Sequence, residues 1–395
     1  MHARFYSLLL AAEVSCSLAA AAQAPPTQIC SPNITDRITV VTPAQRNAAA
    51  AIAQPPLTDI FAWPDTPMGV IKTASGYQFF ASDGGLHARQ TWNGHAVGNN
   101  KGGSVISTTG TLADPLGSAA PQDVSISANP DPSVNPNFGS YTYMGGGPVY
   151  QVPEGMTGAG KLLIVYHAEF PNDDLYAALG LAASSDNGLH WTDLGEVVRL
   201  NQAYKAGLDG FEIGDGQLVL SPDQKYFYLY APDWIANGTP HPTTINIVSV
   251  ARALSKSVLD AAFGPAPQHA IPFQKFYEGH WNLQPGIGGA STDLAPKSPV
   301  AGYIDIHFNS ALQRYQMILS DDTTFGYAES LDALTWTTPV VLGTFQTIAA
   351  YPTAVGLGDD PRTLGKSFYV YFTHLPTDGT GWTNGALRRI TLTCP

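Results

Sequence analysis

The sequence predicts an all-β protein, specifically a five-bladed β-propeller, and three observations carry that reading. Charged residues make up 13% of the chain, about half of the roughly 25% usual in globular domains. Gly (39) and Pro (31) are abundant, so turns are frequent, and long amphipathic helical patterns are scarce. Five hairpin-like pairs of apolar runs follow one another in the same order: 68–73 with 76–82, 147–152 with 161–168, 217–221 with 225–231, 302–309 with 314–320, and 353–358 with 366–373. Each second run opens on Gly, Lys or Arg and continues in aromatic and aliphatic residues. Repetition at roughly 70 residues per unit favours a ring of sheets over a β-sandwich of equal strand content.

Taken in order, the chain opens on a secretory pattern. His2 and Arg4 precede an apolar run at 5–12, and Ala22-Gln23-Ala24 is a cleavage pattern. Residues 1–24 are therefore expected to be a signal peptide and 25–395 a single propeller domain, secreted and monomeric. No later run is long enough to span a membrane. Two cysteines remain after cleavage, Cys30 and Cys394, one near each end of the mature chain. In an oxidising compartment they are expected to pair and lock the ring; two buried free thiols are the alternative. Asn33-Ile34-Thr35 and Asn237-Gly238-Thr239 are sugar acceptors in a eukaryotic host. A short run at 38–42 is suited to complete the last blade. Fourth strands are expected at 105–109, 245–251 and 387–392. The loops 83–103, 116–141 and 262–299 are long enough to build a binding face.

Residues 184–191, Ser184-Ser185-Asp186-Asn187-Gly188-Leu189-His190-Trp191, fit S-x-D-x-G-x-x-W. This resembles the Asp-box turn of sialidase-like propellers: Asp caps backbone N–H groups, Gly takes φ > 0 and Trp packs beneath. A shorter copy at 330–336 lacks the Gly. True sialidases carry an arginine triad and an Arg-Ile-Pro tripeptide. The tripeptide is absent and suitably placed arginines are few, so the resemblance extends to fold and not to that activity.

In a propeller the innermost strands line a central bore, and the residues opening them face its mouth. These are Trp63-Pro64-Asp65, Gly214-Asp215-Gly216, Tyr303 with Asp305 and His307 further on, and Tyr351. Asp65 and Asp215 stand at nearly equal distances before their second strands, and two carboxylates facing one pocket can divide acid and base roles. With five blades, this placement resembles the arabinanase, xylosidase and invertase type of glycosidase. The resemblance implies that Asp65 acts as base or nucleophile, that Asp215 orients the acid and tunes its pKa, and that a Glu of a later blade is the acid. Glu278, in Tyr277-Glu278-Gly279-His280-Trp281, is the first choice for that Glu. Glu169, ending a buried strand where a lone carboxylate is costly, is its rival. Asp131-Pro132 also reads like the first-blade motif, but a Pro-rich loop follows it.

The accompanying candidates are a substrate-binding set. Trp63, Trp281, Trp234 and Tyr351 could stack on sugar faces, and Arg89 could meet an acidic sugar. His167, Asp305 and His307 could line the bore, and channel histidines among His167, His307, His280 and His374 could share a Ca²⁺ or other ion with Asp, although no metal-ligand spacing such as H-E-x-x-H occurs. Two rivals remain for a carbohydrate partner. One is a polysaccharide lyase using Arg89 with His167 or His307. The other is a non-catalytic sugar-binding propeller, which the unlike strand openings argue against. A net charge of −12 without Lys/Arg runs makes nucleic acids and anionic membranes poor partners.

Overall fold

The computed structural model describes residues 26–52, 63–82, 105–141, 143–170, 176–201, 203–204, 213–233, 247–265, 271–296, 298–300, 302–321, 323–377 and 384–395. The expected signal peptide, Arg89, Trp234 and Asn237 lie outside the described residues. The rest forms five sheets arranged as a five-bladed β-propeller, with two helices among the described residues.

Blade 1 holds β2 (Gly69–Thr73), β3 (Gly76–Ala81), β4 (Ile106–Gly110) and β5 (Gln122–Asp123), from the bore outward. Blade 2 holds β7 (Tyr143–Gln151), β8 (Leu162–Glu169), β9 (Ala177–Ser184) and β10 (Trp191–Arg199), with β6 (Ile126–Ser127) parallel to β10 at its rim. Blade 3 holds β11 (Gln217–Leu220), β12 (Tyr226–Asp233), β13 (Ile247–Leu254), β14 (Gln274–Tyr277) and β15 (His280–Pro285), with helix α2 (Ser255–Phe263) after β13. In blade 4, β16 (Tyr303–Asn309), β17 (Arg314–Asp321), β18 (Thr324–Ser330) and β19 (Val340–Thr344) run outward, and β21 (Thr363–Leu364) adds parallel to β16. Blade 5 is β20 (Ala349–Gly356), β22 (Ser367–His374), β23 (Ala386–Thr393) and, outermost, β1 (Asn33–Val41), which is followed by helix α1 (Pro43–Ile52).

Burial explains why the second strands were so apparent. Each is covered on both faces by neighbouring blades, so β8 (LLIVYHAE) is buried along all but its last residue, and a strand buried on both faces reads as a continuous apolar run. Rim strands are mostly solvated, as β15 and β19 are. The expected fourth strands are a correction: β4, β13 and β23 are third in their sheets, and β5, β14 and β1 lie outside them. The outer strands are two exposed residues in β5, a largely polar hairpin in β14 and β15, or, in β1, a segment from the far end of the chain. None of these leaves a continuous apolar run next to its blade.

The ring closes in blade 5, where β1 pairs antiparallel with β23 from Asn33↔Thr393 to Val41↔Leu387. Cys30 and Cys394 form a disulfide there, with Cα atoms 5.3 Å apart. The buried carboxylate of Glu329 on blade 4 accepts the backbone N–H groups of Ile29 (2.9 Å) and Cys30 (2.8 Å). Blade 5 meets blade 1 through an apolar cluster that includes Trp63, Met68, Phe79, Val355 and Tyr371. There Met68 N–H donates to Thr353 Oγ1 at 2.8 Å and Thr373 Oγ1 to Pro64 O at 2.8 Å.

The turn at 184–191 is held by its own side chains. Gly188 N–H donates to Ser184 Oγ at 2.9 Å, His190 N–H to Asp186 Oδ1 at 3.0 Å, and Trp191 Nε1 to Gly188 O at 3.1 Å. Trp191 then meets Phe80 of blade 1 edge-on at 5.8 Å. At 330–336, Asp332 Oδ1 accepts from Leu334 and Thr335 N–H, and Ala333 takes a positive φ of 64°, as Asn187 does (60°) after Asp186.

Candidate active site

All five inner strands run the same way along the bore, so their opening residues encircle one end of it. Asp65 precedes β2 and its N–H donates to Ser82 O at the end of β3, 3.1 Å away. Asp215 precedes β11 at the equivalent level, beside the bridge between Ile213 and Asp233. Tyr143 opens β7, Tyr303 opens β16, and Tyr351 lies near the start of β20. Two of these residues hold an unusual backbone: φ is 49° at Asp215 and 57° at Tyr351. Residues other than Gly at positive φ are strained by about 1–3 kcal/mol and cluster at functional sites. Tyr351 sits in a bulge of β20 between Ala350 and Thr353, a device that re-aims a side chain.

These side chains form one connected group. Tyr351 Oη donates to Asp65 Oδ1 at 3.2 Å, and its ring lies 4.8 Å from that of Tyr303. Tyr143 Oη donates to Ser82 Oγ at 2.7 Å, and Ser82 is held in turn by Thr66. Burial first, then the charge of Asp65, raises the pKa of the Tyr143 hydroxyl well above its ordinary value. The same two causes, in the same order, act on Tyr351, with Tyr303, Asp215 and Tyr143 adding to them. Both phenols therefore keep their protons, Tyr351 donating to Asp65 and Tyr143 to Ser82. On the other side, His167 Nε2 lies 3.3 Å from Glu169 Oε1. The Glu169 side chain is 27% exposed and that of His167 only 7%. Burial pushes the Asp215 carboxyl up to about 6; His167 opposes this and the negative Glu169 reinforces it.

Asp65, Asp215, Glu169, His167 and Tyr351 are thus brought together at the mouth. Glu278 is not. It occupies the tip of the β14–β15 hairpin at φ 48°, exposed at the rim of blade 3 and four strands out from the bore. Trp281 follows it outward, where it stacks on Tyr228 (5.6 Å, 10° between planes) and lies under Arg252 at 4.2 Å. Trp63 is 1% exposed and belongs to the core between blades 1 and 5, so it presents no face to a sugar. Arg89 lies outside the described residues.

Asp305 and His307 do line the bore, but further down. His307 Nε2 is 3.0 Å from both Asp305 oxygens, its Nδ1 is 2.9 Å from Arg362 O, and Asp305 also accepts the N–H of Ala354. Burial lowers the His307 pKa, but Asp305, the Arg362 carbonyl and Asp360 outweigh it and raise the value. His307 faces a cavity of about 220 Å³ in the lower bore, together with Gln217, Tyr150, Thr353 and Arg362. Because the two residues satisfy each other, they do not fit a shared Ca²⁺. Among the described residues no group of three or more His, Cys, Asp or Glu is placed to hold a metal ion.

Sequence reasoning missed Tyr143, Ser82 and Thr66. The available signal was Tyr143-Met144-Gly145-Gly146-Gly147, which lies just ahead of the strand expected from 147. In the structure the strand already begins at Tyr143. The glycines mark close approach, since a Cβ on Gly145 would lie 2.2 Å from Tyr143 Oη and one on Gly146 2.5 Å from Val105 Cγ2.

No family model matches the chain, and no curated protein matches it in sequence. Among solved structures it is similar to the catalytic domain of an α-L-arabinofuranosidase of glycoside hydrolase family 62 from Coprinopsis cinerea, at 10% identity and TM-score 0.48, covering 92% of this chain and 97% of that one. It is also similar to a family 117 glycoside hydrolase from Zobellia galactanivorans, at 13% identity and TM-score 0.45 with 83% of each chain covered. An exo-β-1,3-galactanase from Phanerochaete chrysosporium is similar at 11% identity and TM-score 0.48, covering 90% of this chain and 64% of that one. These likenesses concern the course of the chain and not which residues act.

Proposed function

We propose that the protein is an exported glycoside hydrolase whose centre is the carboxylate group at the mouth of the bore. The supporting observation is the convergence of Asp65, Glu169 and Asp215 from three blades, in two unlike environments. Asp65 accepts the Tyr351 hydroxyl, a bond that favours its charged form, and acts as base or nucleophile toward the anomeric carbon. Glu169 is the more open member of the other pair and delivers a proton to the leaving oxygen. Asp215, enclosed and close to the like charge of Glu169, has its own carboxyl pushed up to about 6 and orients the acid from beside it. Tyr303 and Tyr351 offer ring faces to the sugar. The disulfide accords with export, residues 1–24 acting as the leader and the remainder as one monomeric propeller.

The test is product chromatography of purified protein incubated with a panel of plant and microbial glycans. A reducing sugar should be released from at least one. Asp65→Asn and Glu169→Gln should each lower kcat by roughly 10²-fold or more while still binding that glycan. Equal turnover in both variants would overturn the assignment. A product absorbing in the near ultraviolet would replace hydrolysis with elimination.

A further inference from the structure

Away from the mouth, blades 4 and 5 enclose a hollow of about 570 Å³ lined by Arg37, Arg388, His374, Asn384, Gln346 and Phe345, among others. Strand alternation builds it. Asp36 and Arg389 point to one face of blade 5 and pair at 3.9 Å, whereas Arg37 of β1 and Arg388 of β23, their sequence neighbours, point to the other face. Arg37 donates to Thr344 O at 3.4 Å and lies 4.9 Å above the Phe345 ring. The Nε of Arg388 is buried and has no hydrogen-bond partner among the described residues. No described carboxylate pairs with Arg37 or Arg388, and none lines the hollow.

Acidic residues outnumber Lys and Arg by 31 to 19, and Arg199, Arg314, Arg362 and Arg389 each have a carboxylate within 4 Å. Arg37 and Arg388, with no carboxylate partner among the described residues, converge here beside His374. Burial, and then the positive charge of Arg388, lowers the His374 pKa to about 4. A buried guanidinium N–H without an acceptor is costly unless a ligand supplies one. Arginine's planar fork matches carboxylate and sulfate oxygens. His374 ends β22 opposite Ala349, two residues before Tyr351 in the chain.

We propose that this hollow binds an oxyanion, the carboxylate of a uronic acid or a sulfate ester, carried on a carbohydrate chain. The last clause rests on the glycosidase reading; oxyanion binding itself does not.

The experiment is thermal unfolding during titration with sodium sulfate, sodium glucuronate and glucose, at constant ionic strength in chloride. The wild type should show a saturable rise in Tm with sulfate, glucuronate or both, and none with glucose. Saturation by sulfate alone assigns a sulfate ester, and by glucuronate alone a uronate. Arg388→Gln should weaken the half-saturating concentration by roughly tenfold or more, through loss of a charge-assisted pair. Arg37→Gln, at an exposed residue that does not threaten folding, should weaken it in the same direction. Asp65→Asn should leave the response intact, so a failed glycan screen with a retained oxyanion response overturns hydrolysis and not this site. An unsaturable rise, or one equal in wild type and both arginine variants, is general salting-out and overturns the proposal.

Discussion

Tyr351 donates its hydroxyl proton to Asp65 across 3.2 Å although 286 residues separate them in the chain. The bond joins the inner strand of the last blade to the residue before the inner strand of the first, so the closing of the ring sets the state of one carboxylate. Tyr351→Phe removes a donor to a charged acceptor, an interaction worth about 1.5–3 kcal/mol. The ionised form of Asp65 is the one stabilised, so its pKa should rise in the variant. In a pH profile of kcat/KM the acidic limb should move to higher pH, and the value at the optimum should fall by roughly 10- to 100-fold. An unmoved limb would show that the phenol serves packing alone.

Asp215 makes a stability prediction with an inverted sign. Its carboxyl has a pKa of about 6 when folded, against 3.8 for the unreacted group. The folded state therefore holds this proton more tightly than the unfolded state. This group favours folding fully below pH 3.8, and its contribution is lost as pH rises through 6. At neutral pH an ionised, enclosed Asp215 strains the fold by about 2 kcal/mol, a figure reduced for its partial exposure. Asp215→Asn should then be more stable than wild type in urea at pH 7 and lose that advantage toward pH 4. Its turnover should fall at every pH. Gain of stability with loss of turnover is the signature of a functional carboxylate.

The ring, and the level at which Asp65 and Asp215 enter it, could be read from residues because strands buried on both sides leave long apolar runs. Glu169 was equally visible, as a charge ending such a run. The misplacement of Glu278 and Trp281 has a different origin. A polar, aromatic hairpin looks alike whether it folds over the mouth or extends a blade outward. What decides is the pairing of Lys275 and Gln274 with Ala251 and Arg252 at the rim, and that edge was not visible locally. Tyr143 escaped because three glycines resemble a turn, whereas here they allow blades 1 and 2 to touch.

Closure of the ring has two fasteners at one place, and they should not act independently. The Cys30–Cys394 bridge ties residues 364 apart, and Glu329, fully buried, holds Ile29 and Cys30 through their N–H groups while it receives Tyr327 Oη at 2.9 Å. Reducing the disulfide should lower stability by about 2–5 kcal/mol. Glu329→Gln should cost about 3 kcal/mol, since Arg314 at 3.5 Å then loses its buried partner. Once the bridge is open, the N-terminal strand detaches more readily and Glu329 has less to hold. The two losses, measured by urea unfolding of wild type and variant with and without reductant, should sum to more than their combined effect.

Gly145 offers the sharpest separation of site from scaffold. A Cβ there would lie 2.2 Å from Tyr143 Oη and 2.8 Å from Ser82 Cβ, so Gly145→Ala must push the Tyr143 phenol off Ser82. Overpacking of this kind costs about 1–3 kcal/mol, which a ring locked by a disulfide can absorb without unfolding. The displaced phenol, however, is the one that faces Asp65 and Glu169. Turnover should therefore fall by roughly 10-fold or more at temperatures well below the variant's own melting point. Tyr143→Phe, which keeps the ring but removes the hydroxyl, should reproduce the loss of turnover with a smaller loss of stability. A Gly145→Ala protein that melts early yet turns over normally when folded would show that Tyr143 serves the contact between blades and not the carboxylates.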